Sequence, residues 1–137
     1  MARDKFHQEV REALENEGWK ITDDPLYLKV GQIPILIDLG AEKIIAAEKG
    51  DEKIAVEIKT FGLASFITAL YEAVGKYIVY REALEHIASD RILYLAMPSK
   101  VYKKFSKEPI VKNVFFRYDI KIILYKTDLN KEVEWIK

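Results

Sequence analysis

The stretch KIIAAEKGDEKIAVEIKTF, residues 43–61, decides the fold. Two runs rich in Ile, Ala and Val, 43–49 and 53–61, flank Gly50-Asp51. Two such runs around a two-residue, glycine-containing turn form a β-hairpin. Alternation along the second strand puts Ile54, Val56 and Ile58 on one face and Ala55, Glu57 and Lys59 on the other. A carboxylate and an ammonium therefore stand side by side on one face of a strand.

The surrounding pattern builds a sandwich outward from this hairpin. Downstream, Leu70, Ala73/Val74, Tyr77/Ile78 and Leu84 give a helical stripe over 64–88, weakened locally by Gly75. RILYLAM at 91–97 is a continuous apolar run, as a strand buried on both faces requires. Pro98-Ser99 open a basic helix through Ser106, and Pro109 opens another to Arg117. IKIILY at 120–125 reads as a second buried strand, and 132–137 stays ambiguous. Upstream, Phe6, Val10, Ala13 and Leu14 form one face of a helix over 3–17, stopped by Gly18. A short strand at 19–22, a turn at Asp23-Asp24-Pro25, an alternating run at 26–30 and the β-rich run IPILIDL at 33–39 fill the interval, with Pro34 at a strand start or edge. The order predicts an α/β fold with helices packed on a mixed sheet.

The 137 residues make one domain, 1–137. The chain has no cysteine, which excludes disulfides, thiolate metal sites and thiol catalysis, and its two histidines argue against a His-rich centre. The N-terminus lacks an apolar signal region and no run approaches the ~20 residues of a spanning helix, so a soluble, cytoplasmic protein with no membrane association is expected. Lys+Arg and Asp+Glu balance at 22 each, but unevenly. Residues 1–99 carry 12 basic and 17 acidic side chains, net −5, and residues 100–137 carry 10 and 5, net +5. The basic part reads as a solvated lysine-rich surface or as a phosphate contact.

Asp38 ends an apolar run nineteen residues before Glu57. Two carboxylates and an ammonium converging in a sheet suit a Mg²⁺ (or Mn²⁺) phosphodiesterase, in which Asp38, Glu57 and the Ile58 carbonyl hold the metal and Lys59 orients water or stabilises phosphorane charge. The alternatives are an exposed salt-bridged face for Glu57 and Lys59 and a turn role for Asp38. The pattern resembles the PD-(D/E)xK nucleases, whose core runs α-β-β-β-α-β in a restriction-endonuclease-like three-layer sandwich. Here the first motif is Ile37-Asp38 without the preceding Pro, and the second is Glu57-x-Lys59. Glu9, beside the apolar stripe of the first helix, is a candidate fourth metal ligand, as in relatives of that fold. His7, on the other flank, reads as a boundary residue.

A longer resemblance covers nearly the whole chain. HQEVREALENEGWKITDDPL, IDLGAEKIIAAEKGDEKIAVEIKTF, GKYIVYREAL and DRILYLAMPSKVY resemble the XisH family of fdxN element excision controlling factors. The resemblance implies an endonuclease-like fold. It also implies a role, with an XisI-type small partner and a recombinase, in site-specific excision of a DNA element. Asp38, Glu57, Lys59 and Glu9 fall at the nuclease-like positions. Gly75-Lys76-Tyr77 stands where the family has Gly-Gln-Tyr, so Lys76 loses an acceptor there. Two other readings remain open: a non-catalytic interaction module acting with the partner, and the nuclease of a small two-gene cassette. A homodimer is the default assembly. Tyr71, Tyr77, Tyr80, Phe115-Phe116 and Trp135 read as core packing, with a stacking or partner surface as the alternative.

Overall fold

The structure, a computed structural model, describes residues 2–35, 44–61, 65–126 and 132–136. Helix α1 (Ala2–Asn16) precedes β1 (Lys20–Asp23), a small hairpin of β2 (Leu28–Val30) and β3 (Ile33–Ile35), and the strands β4 (Ile44–Lys49) and β5 (Glu52–Ile58). Helix α2 (Phe66–Ile87), β6 (Arg91–Pro98), α3 (Ser99–Phe105), α4 (Pro109–Arg117), β7 (Ile122–Tyr125) and β8 (Val133–Ile136) follow.

The hairpin of β4 and β5 is the core of the sheet. Lys49 pairs with Glu52 across Gly50-Asp51, and Gly50 takes a left-handed φ of +61° that a side chain would resist. The main sheet runs β1-β4-β5-β6-β7-β8. Strands β5, β6 and β7 are parallel, and β4 and β8 run against them. In chain order the first elements of this sandwich are α1-β1-β4-β5-α2-β6, the α-β-β-β-α-β core that the resemblance implied. The β-rich run at 33–39 is described only in its first part. Its described part, β3, pairs with β2 in a separate two-stranded sheet, where Pro34 is opposite Lys29. The ambiguous tail forms the edge strand β8, paired with β7.

The sheet separates two apolar layers. On one face Ala69, Ala73, Tyr77, Tyr80 and Leu84 of α2 meet Ala55, Leu93, Leu95 and Ile122, with α3 and α4 adding Val101, Tyr102, Val114 and Phe115 at the margin. On the other, Val10 and Leu14 of α1 meet Ile45, Val56, Ile58, Tyr94, Ile123 and Tyr125. Trp19 and Trp135 extend this second layer, their ring centroids 5.7 Å apart. The α1 stop is a glycine cap: Gly18 has φ +96°, and Trp19 N–H donates back to Leu14 O at 3.0 Å. Ser65 caps α2, its Oγ accepting from Thr68 N–H at 3.3 Å. No helix among the described residues is long and apolar enough to cross a membrane.

Tyr77 ties the α2 layer to the sheet. Its hydroxyl donates to Leu93 O at 2.8 Å and accepts from Lys121 N–H at 3.1 Å, and burial pushes the phenol pKa above its ordinary value. Removing the hydroxyl leaves Lys121 N–H without its acceptor. Tyr77→Phe is therefore expected to lower unfolding free energy by about 1–2 kcal/mol, read as a shifted urea midpoint at unchanged slope.

Candidate active site

Strand β5 has partners on both edges and helices over both faces, so its side chains from Ile54 onward leave water almost entirely. Glu57 is 0% exposed and Lys59, just past the strand, is 8% exposed. This excludes the alternative in which they form a solvated salt-bridged face. Glu57 lies between Ile44 of β4 and Leu95 of β6 and shares their face with Ala55, under α2. Helix α2 follows a crossover from β5 and returns the chain to β6, so its first turns cover the carboxyl end of β5. Glu72 of those turns reaches Lys59, with Oε2 3.0 Å from Nζ.

The Lys59 backbone is anchored on both sides. Its N–H donates to Ala96 O at 2.9 Å. The next parallel-ladder bond would come from residue 98, but Pro98 has no N–H to give. The Tyr125 hydroxyl donates to Lys59 O instead, at 3.2 Å. Because Lys59 N–H points to β6, alternation turns the Ile58 carbonyl to the β4 side. The Ile58 side chain packs on the opposite face, in the layer of Val10 and Leu14.

Glu9 lies one residue before the fully buried Val10, on the α1 side of the sheet. Its Oε2 is buried with no hydrogen-bond partner among the described residues. His7 is a boundary residue, as expected: its Nε2 is 2.8 Å from the Asp24 carboxylate, which also accepts from Arg11 Nη1 at 2.6 Å. That cluster fastens α1 to the turn after β1. Asp38 lies outside the described residues; in sequence it is six positions before Ile44, the cross-strand partner of Glu57. Glu57, Lys59 and Glu72 are thus brought to one end of one face, and no group of three His, Asp or Glu among the described residues is placed to hold a metal. The sequence reading missed Glu72. Its spacing from Lys76 suggests a local i,i+4 pair, and only the crossover reveals its contact with Lys59.

The XisH protein family model matches residues 1–133. The chain belongs to the XisH family. The crystal structure of an XisH family protein from Nostoc punctiforme is similar at 39% identity and TM-score 0.88, over 98% of this chain and 100% of that one. That of an fdxN element excision controlling factor protein from Anabaena variabilis is similar at 39% identity and TM-score 0.89, over 98% and 100%. No curated protein matches the chain.

Within this XisH member the aromatic residues divide. Tyr77 and Tyr80 are buried in the α2 layer, whereas Tyr71 is 68% and Phe116 89% exposed, so the core-packing reading fails for those two. Their helices present outward faces at these positions, which local apolar spacing does not reveal. Trp135 packs edge-on against Tyr94, centroids 5.0 Å apart.

A buried carboxylate kept for stability and one kept for function respond differently to neutralisation. Glu57→Gln preserves shape and hydrogen-bonding capacity and leaves Lys59 paired with Glu72, so it is expected to cost no more than about 1.5 kcal/mol. Lys59→Met removes the neighbouring cation and is expected to cost about 3 kcal/mol or more. Chemical denaturation of both variants reads the contrast, and a large loss in Glu57→Gln would assign Glu57 to structure.

Proposed function

We propose that this protein controls site-specific excision of a DNA element through a nuclease-type phosphodiesterase centre at the carboxyl end of β5, acting in the cytoplasm with an XisI-type small partner and a recombinase. The observation that supports the centre is Glu57, fully buried between Ile44 and Leu95. An ionised carboxylate costs several kcal/mol to take out of water, and an apolar residue would fill that position at no such cost. Bound Mg²⁺ or Mn²⁺ would answer that charge together with the protein groups around it. The family role in excision control is supported by the name of the Anabaena variabilis relative.

Asp38, Glu57 and the Ile58 carbonyl would hold the metal; Glu9, on the α1 face, would join as a fourth ligand only by reaching past the carboxyl end of β5. The donor set is all oxygen, which suits these hard cations. When bound, the metal polarises the phosphoryl group and lowers the pKa of a coordinated water. The chain's own residues do the rest. Glu57 presents a desolvated carboxylate, and the Ile58 carbonyl is turned to the side from which the chain enters β4. Lys59, held by two backbone hydrogen bonds and by Glu72, carries an ammonium fixed for the developing phosphorane charge. The buried, unpartnered Oε2 of Glu9 is the oxygen that a cation would satisfy.

A second reading is a non-catalytic module that works by binding its small partner. It draws on the absence of a three-residue acidic cluster among the described residues and on the balanced net charge, which gives little autonomous attraction to DNA. A nuclease within a two-gene cassette would share the site and differ in arresting growth when expressed without its partner.

Calorimetry separates the first two readings. Wild type is expected to bind Mg²⁺ or Mn²⁺ without DNA, Glu57→Ala to lose the binding heat, and metal-dependent cleavage of DNA to fall at least a hundredfold in that variant. Cleavage that persists in Glu57→Ala overturns the site. Absence of metal binding in wild type, joined to co-purification with an XisI-type protein, favours the interaction module.

A further inference from the structure

We infer that the outer faces of α3 and α4 form a docking surface for the phosphate backbone of duplex DNA. Lys100, Lys103 and Lys104 are spaced i, i+3, i+4 along α3 and are all exposed. Ser106 keeps helical backbone angles (φ −65°, ψ −18°), so exposed Lys107 continues the row at i+7. At about 100° per residue these four lie within one arc of the helix surface. Lys112 and Arg117 add two exposed cations on α4. Phe116, one turn after Lys112, is 89% exposed.

None of the six cations forms an ion pair among the described residues; Lys104 lies over the ring of Phe105, 5.2 Å from its centroid. Like charges three and four apart repel and weaken a helix. A polyanion laid along the row removes that repulsion and releases its own counterions.

The rest of α3 argues for nucleic acid over a lipid surface. An interfacial helix inserts its apolar face beside the lysines. Here that face is occupied: Val101 and Tyr102 pack on the α2 layer, and Phe105 stacks on Phe66 with centroids 3.7 Å apart. The α3 lysine face meets a ligand through charge, and the exposed apolar side chains Ile110 and Phe116 belong to α4. Placement fits as well. Lys100 is two residues beyond Pro98, where β6 ends, and Ala96 of β6 pairs with Ile58. The row starts at the strand end that carries Glu57 and Lys59, so DNA held there lies at the proposed centre. The inference draws its purpose from the nuclease-type reading and is tested separately from it.

The test is fluorescence anisotropy of a labelled, short, mixed-sequence DNA duplex in EDTA over a range of salt. Wild type is expected to bind with affinity that falls linearly in log salt. Lys103→Ala/Lys104→Ala is expected to reduce that slope by about 2, close to one per lost phosphate contact, and to weaken low-salt binding at least tenfold. The Lys→Arg pair at the same positions is expected to keep the wild-type slope, which excludes a folding defect. An unchanged slope in the alanine pair, or no duplex binding by wild type, overturns the docking surface. So does loss of binding to phosphatidylserine vesicles with duplex binding intact. Duplex binding that follows these expectations, with metal-dependent cleavage unchanged in Glu57→Ala, overturns the nuclease reading alone. Metal heat with an unchanged slope in the alanine pair overturns the docking surface alone.

Discussion

Burial of Glu57 and Lys59 in the most enclosed strand is the constraint on which the rest of the structure turns. Past Lys53, strand β5 is hydrogen-bonded on both edges and covered on both faces, so a charge placed there must be answered by neighbours rather than by water. The answer comes from elements distant in sequence. Glu72 descends from α2 to the Lys59 ammonium, and Tyr125 from β7 takes up the Lys59 carbonyl. The proline that ends β6 makes this necessary, since it withholds the donor that an ordinary ladder would supply.

The polarity of the sheet then sets where chemistry can occur. Parallel strands β5, β6 and β7 end on one side, and ligands of open α/β sheets gather outside such carboxyl ends. Helix α2 begins there, and α3 leaves β6 there with its row of lysines. The other end is devoted to fastening: Arg91 Nη1 donates to Ile54 O at 2.8 Å, and Arg81 Nη1 donates to Tyr118 O at 2.7 Å. A molecule with near-zero net charge thereby acquires a cationic outer face beside its carboxylate-bearing strand end.

The tyrosines show how one helix serves both layers of this organisation. Tyr77 gives its hydroxyl to the sheet and fixes α2 in register, while Tyr71, two turns nearer the helix start, projects into solvent. Lys76, beside Tyr77 and one turn beyond Glu72, is half-buried on the flank of the same helix. Because the register is locked at Tyr77, the first turns of α2 cannot slide, and Glu72 stays over Lys59.

The sequence by itself determined the local elements and the family. Gly50-Asp51 between two alternating runs required the β4–β5 hairpin, Gly18 required the α1 stop, and the blocks shared with XisH proteins span nearly the whole chain. Those features depend on residues within a few positions of each other, which sequence records directly. It also put Glu57 and Lys59 on one face, because alternation is a property of the strand alone. Only the tertiary structure decided that this face is buried under α2, that Glu72 is the partner of Lys59, that β2 and β3 pair apart from the main sheet, and that Phe116 points outward. Each of these depends on which distant element covers a surface, and periodicity fixes a residue's direction without fixing what lies in that direction.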